Sequence, residues 1–123
     1  MNPVGWFEIY VNDLPRATKF YETVLKKQLS KLDAPGGEVE MIAFPMERDS
    51  SGASGALVKM NGVQAGGNST IVYFVSEDCA QEASRAEAAG GKVMKPKFPI
   101  GPYGFITLLF DTEGNIFGVH SMK

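Results

Sequence analysis

The strand-and-helix pattern of residues 6 to 25 starts again at residue 69, and a chain that carries the same unit twice has few folds open to it. In "WFEIYVND" (6–13) the side chains alternate. Trp6, Glu8 and Tyr10 point one way and Phe7, Ile9 and Val11 the other, which is the period of a strand. Asn12-Asp13 then offers a helix cap, and Pro15 is tolerated in the first turn. In "LPRATKFYETVL", Leu14, Ala17, Phe20, Tyr21, Val24 and Leu25 recur at helical spacing. "KKQLSKL", "GGEVEMIAF" and "SGALVKM" read as three further strands between Pro- and Gly-rich turns.

The second half repeats this order. "STIVYFVSED" (69–78) is a strand ending in acidic caps, with Val75 falling 64 residues after Val11. "CAQEASRAEAAGG" is a short Ala-rich helix stopped by Gly90-Gly91, and "KVMKP", "GFITLLF" and "NIFGVHS" supply three strands. Each half is β-α-β-β-β, module 1 covering about 5–62 and module 2 about 68–121 of one α+β domain. Two such units wrap mixed sheets about a shared concave face with the helices outside, and the resulting cleft is a place for a small molecule.

Composition narrows the function classes. The chain has 123 residues, enough for one domain with a core, at 44% hydrophobic and 21% charged residues. A net charge of −2 with scattered Lys and Arg argues against a nucleic-acid partner; "KPK" at 95–97 is too short to be a basic patch. No apolar run approaches the ~20 residues needed to span a bilayer. "MNPVGWFEIY" lacks the basic and apolar regions of a signal peptide, so a cytoplasmic protein with no membrane partner is expected. Cys79 is the one cysteine, which leaves no internal disulfide, and Glu77, Asp78 and Glu82 beside it oppose thiolate formation. "NST" at 68–70 matches a glycosylation sequon that has no meaning in such a compartment.

"WFEIYVNDLPRATKFYETVL" resembles the opening strand and helix of the vicinal oxygen chelate superfamily, which includes glyoxalase I, bleomycin-resistance proteins and extradiol dioxygenases. "AEAAGGKVMKPKFPIGPYGFITLLFDTEGN" is similar to its second module, above all in the helix end "AGGKV" and the turn "DTEGN". The likeness runs from Gly5 to His120, and the glyoxalase-related branch is the nearest in pattern. It implies paired βαβββ modules, commonly as a homodimer. In metal-dependent members it implies Fe, Mn, Ni or Zn held by one His or Glu/Gln from each end strand of each module, where the metal polarises two substrate oxygens.

Carried onto this chain, those positions fall on Trp6, Thr70, Gly118 and a residue between Ala56 and Val58. An indole has no lone pair to offer, and a threonine hydroxyl is a poor transition-metal ligand. No metal and no other cofactor is therefore expected. Glu8 and His120 each lie two residues beyond a vacated position, on the same face but displaced by roughly 7 Å. If their strands are close, they meet as a catalytic base and its proton partner, or as part of a relocated metal site completed by Tyr10 or by a dimer mate. A bound transition metal normally takes three or more protein ligands, and only these two are good ones. Otherwise His120, three residues from the last residue, is a solvated side chain.

Glu8, between Trp6 and Tyr10, is expected on the concave face, where a carboxylate needs a partner or water. Parity sets Thr70, Val72 and Phe74 on that face and Ile71, Tyr73 and Val75 under the helix. In "FPIGPYGF" (98–105) Tyr103 is placed to reach over the cleft mouth, although a rigid hairpin turn is the plainer reading. "ERDSSGASG" (47–55) reads as a mobile connection, and no phosphate-loop spacing is present.

The expected function is metal-free binding of a small apolar or aromatic molecule. Its contacts would be Trp6, Glu8, Tyr10, Thr70, Val72, Phe74, Tyr103 and His120. The alternatives are a lyase- or isomerase-type enzyme, either metal-independent with Glu8 as base or metal-dependent, and a domain whose cavity is simply filled.

Overall fold

Both helices start on an aspartate. In the computed structural model, which describes residues 2–33 and 38–123, Asp13 caps α1 (Leu14–Leu25) by accepting from the Arg16 N–H at 3.0 Å. Asp78 caps α2 (Cys79–Ala86) through the Ala80 N–H at 3.1 Å. The apolar stripe of α1 is buried at Leu14, Ala17, Phe20, Tyr21 and Val24, as its spacing demands. Past the end of α2, Gly90 takes a positive φ of 102° while the Gly91 N–H reaches back to the Ala86 carbonyl at 2.9 Å, which stops the helix.

The strands repeat one plan. In the first module β1 (Phe7–Tyr10) runs parallel to β4 (Gly55–Met60), and β3 (Val39–Ala43) and β2 (Ser30–Leu32) follow antiparallel, giving the sheet order β1-β4-β3-β2. In the second, β5 (Tyr73–Val75) runs parallel to β8 (Ile116–Ser121), and β7 (Phe105–Phe110) and β6 (Lys92–Pro99) complete the order β5-β8-β7-β6. The duplicated α+β architecture is thus present strand for strand. Gly36 and Gly37, at the start of the expected strand "GGEVEMIAF", lie outside the described residues. Residues 47–54 form exposed turns, apart from half-buried Ser54. Among the described residues no helix is long and apolar enough to cross a membrane.

The helix-facing sides of both sheets and both helices share one core. Phe7, Phe20, Tyr21, Phe44, Phe74 and Phe117 form a continuous aromatic cluster with centroids 5.1 to 6.0 Å apart. Polar groups tie the modules together around it. The Arg85 guanidinium donates to the Val24 carbonyl at 2.8 and 3.0 Å, joining the two helices. Buried Tyr21 donates to Asp111 Oδ2 at 2.6 Å.

The turn between β7 and β8 provides a second tie. Glu113 Oε1 accepts from the backbone N–H groups of Asn12 and Asp13 and from Arg16 Nη2, each at 2.9 Å. Its Oε2 accepts from Arg16 Nε at 2.7 Å and from Thr112 Oγ1 at 2.8 Å. The N-cap Asp13 is the one acidic residue at the start of α1, and Glu113 adds a second negative charge there from the other module.

One expectation is overturned. The side chains of β5 lie in the opposite parity to that read from the sequence. Tyr73 pairs with Gly118 and Phe74 with Val119, and Phe74 packs into the core with Val119 and Phe117. Tyr73 and Val75 share the outward face with Gly118 and His120 and are 45% and 88% exposed. The cause is the alignment of the two halves. The caps Asp13 and Asp78 are 65 residues apart, so the counterpart of Val11 is Ser76, not Val75. A slip of one residue turns every side chain of a strand to the other face.

Candidate functional site

A cavity of about 470 Å³ lies in the seam between the modules, bounded by β1, by the linker at 63–70 and by the start of β8. Its apolar lining comes from the core side, with Phe7, Ile9, Tyr21, Val72 and Phe117. Its polar lining is Glu8, Tyr10, Asn115 and linker residues including Asn68, Ser69 and Thr70. The volume lies in the range of small-molecule sites, and the cavity is about half open to solvent.

Three asparagine amides hold the linker in place. Asn115 Oδ1 accepts from the Gly66 N–H at 2.7 Å, while its Nδ2 donates to the Tyr10 carbonyl and to Asp111 Oδ2, both at 3.0 Å. Asn12 Oδ1 accepts from the Ala65 N–H at 3.2 Å. Asn68 donates to the carbonyls of Thr70 and Ile116 and accepts from the Ile116 N–H, so it bridges to β8 as a strand neighbour would. Sequence reasoning met Asn68 only as a sequon and passed over Asn115. The signal available was the amide side chains themselves, since asparagine bonds readily to nearby backbone.

Glu8 stands at the rim between its two aromatic neighbours. Trp6 Nε1 donates to Glu8 Oε2 at 3.2 Å and the Tyr10 hydroxyl to Oε1 at 3.0 Å. All three side chains point to the face of β1 away from the core, as alternation requires, because Phe7 and Ile9 pack inward. Glu8 is exposed rather than starved of water, so it has both the partners and the hydration a carboxylate needs. The hydrogen bond to Glu8, some burial and the Glu8 charge raise the Tyr10 pKa, which keeps the phenol a neutral donor. Burial first, then the charge of Asp111 and the bond to it, push the Tyr21 hydroxyl well above its usual range.

Among the described residues no hydrogen bond or ion pair joins His120 and Glu8. His120 Nε2 lies 2.6 Å from the Tyr103 carbonyl oxygen, which can only accept, so Nε2 carries the proton there. His120 is therefore a half-buried residue of β8 that braces the β6–β7 turn, and not a solvated tail. That turn is closed by the Ile100 N–H on the Gly104 carbonyl at 2.9 Å, and Tyr103 is 71% exposed. Of the sequence-predicted contacts, Glu8, Tyr10, Thr70 and Val72 line the cavity; Trp6, Phe74, Tyr103 and His120 do not. Cys79 is fully buried at the start of α2.

The metal positions implied by the resemblance can be tested on their donors. Correcting the β5 alignment moves the second-module position from Thr70 to Ile71, and the pairing of Glu8 with Ala56 sets Ala56 beside β1 as Gly118 sits beside β5. The four side chains are then an indole, a methyl, a branched alkyl and a hydrogen. The ring of Tyr73 lies across Gly118, where any Cβ would run into it. Among the described residues no group of three or more His, Cys, Asp or Glu is placed to hold a metal. The residues present do not fit a metal at those positions.

With this geometry in hand, comparison places the chain among known proteins. The sequence profile of the Glyoxalase/Bleomycin resistance protein/Dioxygenase superfamily matches residues 4–119. A curated relative from Mycobacterium bovis, CFP32, whose name assigns it provisionally to the glyoxylases, is 29% identical over 114 residues. The match covers 93% of this chain but 42% of CFP32, so the chain spans less than half the length of the relative. Glyoxalase I of Zea mays superposes with a TM-score of 0.77 at 22% identity, over 98% of this chain and 46% of that one. TnmS3, an antibiotic binding protein from Streptomyces sp. CB03234, superposes with a TM-score of 0.71 at 22% identity, over 98% and 96% of the two chains. The chain belongs to the Glyoxalase/Bleomycin resistance protein/Dioxygenase superfamily.

Proposed function

We propose that this chain is a metal-free binder of a small apolar or aromatic molecule, held in the seam between its modules, and that it works as a homodimer. The observation that carries the reading is the cavity of about 470 Å³, whose accessible apolar lining includes Phe7, Ile9 and Val72. These side chains offer apolar contact to a ligand, and the linker backbone and Thr70 supply a few polar contacts that orient it. The donor set argues the same way, since indole, methyl, alkyl and hydrogen give a transition metal nothing to bind. Antibiotic binding by TnmS3 supports a sequestering role on this fold.

The test joins a binding assay to a metal assay. Protein purified without chelators is expected to carry no stoichiometric transition metal, and 1-naphthylmethanol, a neutral planar probe, is expected to raise its Tm in proportion to the logarithm of concentration. Thr70→Trp, placed at an exposed point of the lining, is expected to abolish that rise while leaving the Tm without probe within about 2 °C. A stoichiometric metal that disappears with EDTA, or a probe response that Thr70→Trp leaves intact, would overturn the proposal.

A further inference from the structure

Among the described residues that line the seam cavity, Glu8 is the one that carries a formal charge. The other polar lining groups are phenols, amides, hydroxyls and backbone. Among the described residues, none of the ion pairs involves Glu8. Its two hydrogen bonds come from an indole N–H and a phenol O–H, which are neutral. They fix the direction of the carboxylate without cancelling its charge. A carboxylate has about four acceptor sites, so Glu8 retains acceptor capacity beyond the two already used.

From this we infer that the ligand of the cavity carries a positively charged nitrogen, and that Glu8 between Trp6 and Tyr10 is the group that recognises it. The inference rests on the binding role proposed above and names the class of ligand: an organic ammonium joined to an apolar or aromatic body. An N⁺–H donor placed at the rim makes a charge-assisted hydrogen bond to Glu8, which is shorter and stronger than a neutral one. The apolar body then lies against the half-buried side chains of Phe7, Ile9 and Val72. Tyr10, which lines the cavity, commits its polar hydrogen to Glu8, leaving ring carbon to flank the substituents on the nitrogen. An anionic ligand meets the opposite situation, because the lining offers no cation and Glu8 repels it.

Three probes that share one ring system separate charge from shape: 1-naphthylmethylammonium, 1-naphthylmethanol and 1-naphthylacetate, titrated calorimetrically at pH 7. The native chain is expected to bind the ammonium at least about tenfold more tightly than the alcohol, and the acetate most weakly. Glu8→Gln keeps the size and an acceptor oxygen but removes the charge. In that variant the ammonium is expected to fall to within about threefold of the alcohol, whose own affinity stays unchanged. Equal binding of the three probes, a preference for the acetate, or an ammonium preference that survives Glu8→Gln would overturn the inference and leave the cavity reading standing. Failure of all three probes to bind would overturn both.

Discussion

Glu113 shows how much one carboxylate can do when donors surround it. Burial by itself raises its pKa, but the bonds from Arg16, the Asp13 N–H, Thr112 and the Asn12 N–H outweigh that and hold it at about 2, against an ordinary 4.5. The residue is 7% exposed, so the difference is little screened by water. It corresponds to roughly 3 kcal/mol of folding stability. A lowered carboxylate pKa stabilises the fold above the unfolded value, and that contribution drains away as pH falls from 4.5 towards 2. Urea unfolding of the native chain is thus expected to lose about 3 kcal/mol between pH 6 and pH 2 from this group, with other titrating groups adding to it. Glu113→Gln should lose a similar amount already at pH 6, because the amide keeps one acceptor oxygen for the Asn12 and Asp13 N–H groups but sets its NH2 against the Arg16 Nε–H and removes the charge that pairs with the guanidinium, and should show a flatter acid limb. An unchanged acid limb would refute this account. The sequence displays "DTEGN" plainly as a turn. It does not display that Glu113 meets Arg16 some 97 positions away, because a partner across the fold leaves no local pattern.

At the scale of the element, strand β5 separates what sequence can and cannot specify. The helix α1 was legible because its stripe of Leu14, Ala17, Phe20, Tyr21 and Val24 has only one face to bury. In "TIVYFV" both parities are apolar, so alternation carries no preference and only the distance to the cap fixes it. The caps set that distance at 65 residues, and Phe74 goes inward against Phe7, Tyr21, Phe44 and Phe117. Phe74→Ala is therefore expected to cost about 3 kcal/mol, near the low end of buried phenylalanine truncations because the ring is only partly buried. Tyr73→Ala, on the open face, is expected to cost less than about 1 kcal/mol in the isolated chain. Chemical denaturation of the two variants decides the parity, and a larger loss for Tyr73→Ala would reverse it. The same parity explains Gly118: the position held for a metal ligand elsewhere is covered by the Tyr73 ring, which a side chain would displace.

The whole molecule was legible as a duplication because the unit's order of elements, strand, helix and three strands, survives where residue identity does not. How two such units face a further copy was not legible, since that depends on which sheet surfaces remain open. Those surfaces are now identified. The sides turned away from the helices carry Trp6 on β1's face and Tyr73 and Val75 on β5, at 38%, 45% and 88% exposure. Tyr73 and Val75 thus put two exposed apolar side chains on the same strand face. CFP32 and the maize glyoxalase I are each more than twice as long as this chain. We therefore expect the native chain to sediment at twice its chain mass at micromolar concentration. Val75→Glu sets a charge in the middle of the proposed contact, where burial would be costly. Because Val75 is open in the single chain, this substitution should leave the unfolding free energy of the monomer within about 0.5 kcal/mol. The variant is expected to sediment as a monomer with an unchanged far-ultraviolet circular dichroism spectrum. A native chain that remains monomeric at 100-fold higher concentration, or a Val75→Glu variant that still pairs, would place the contact elsewhere.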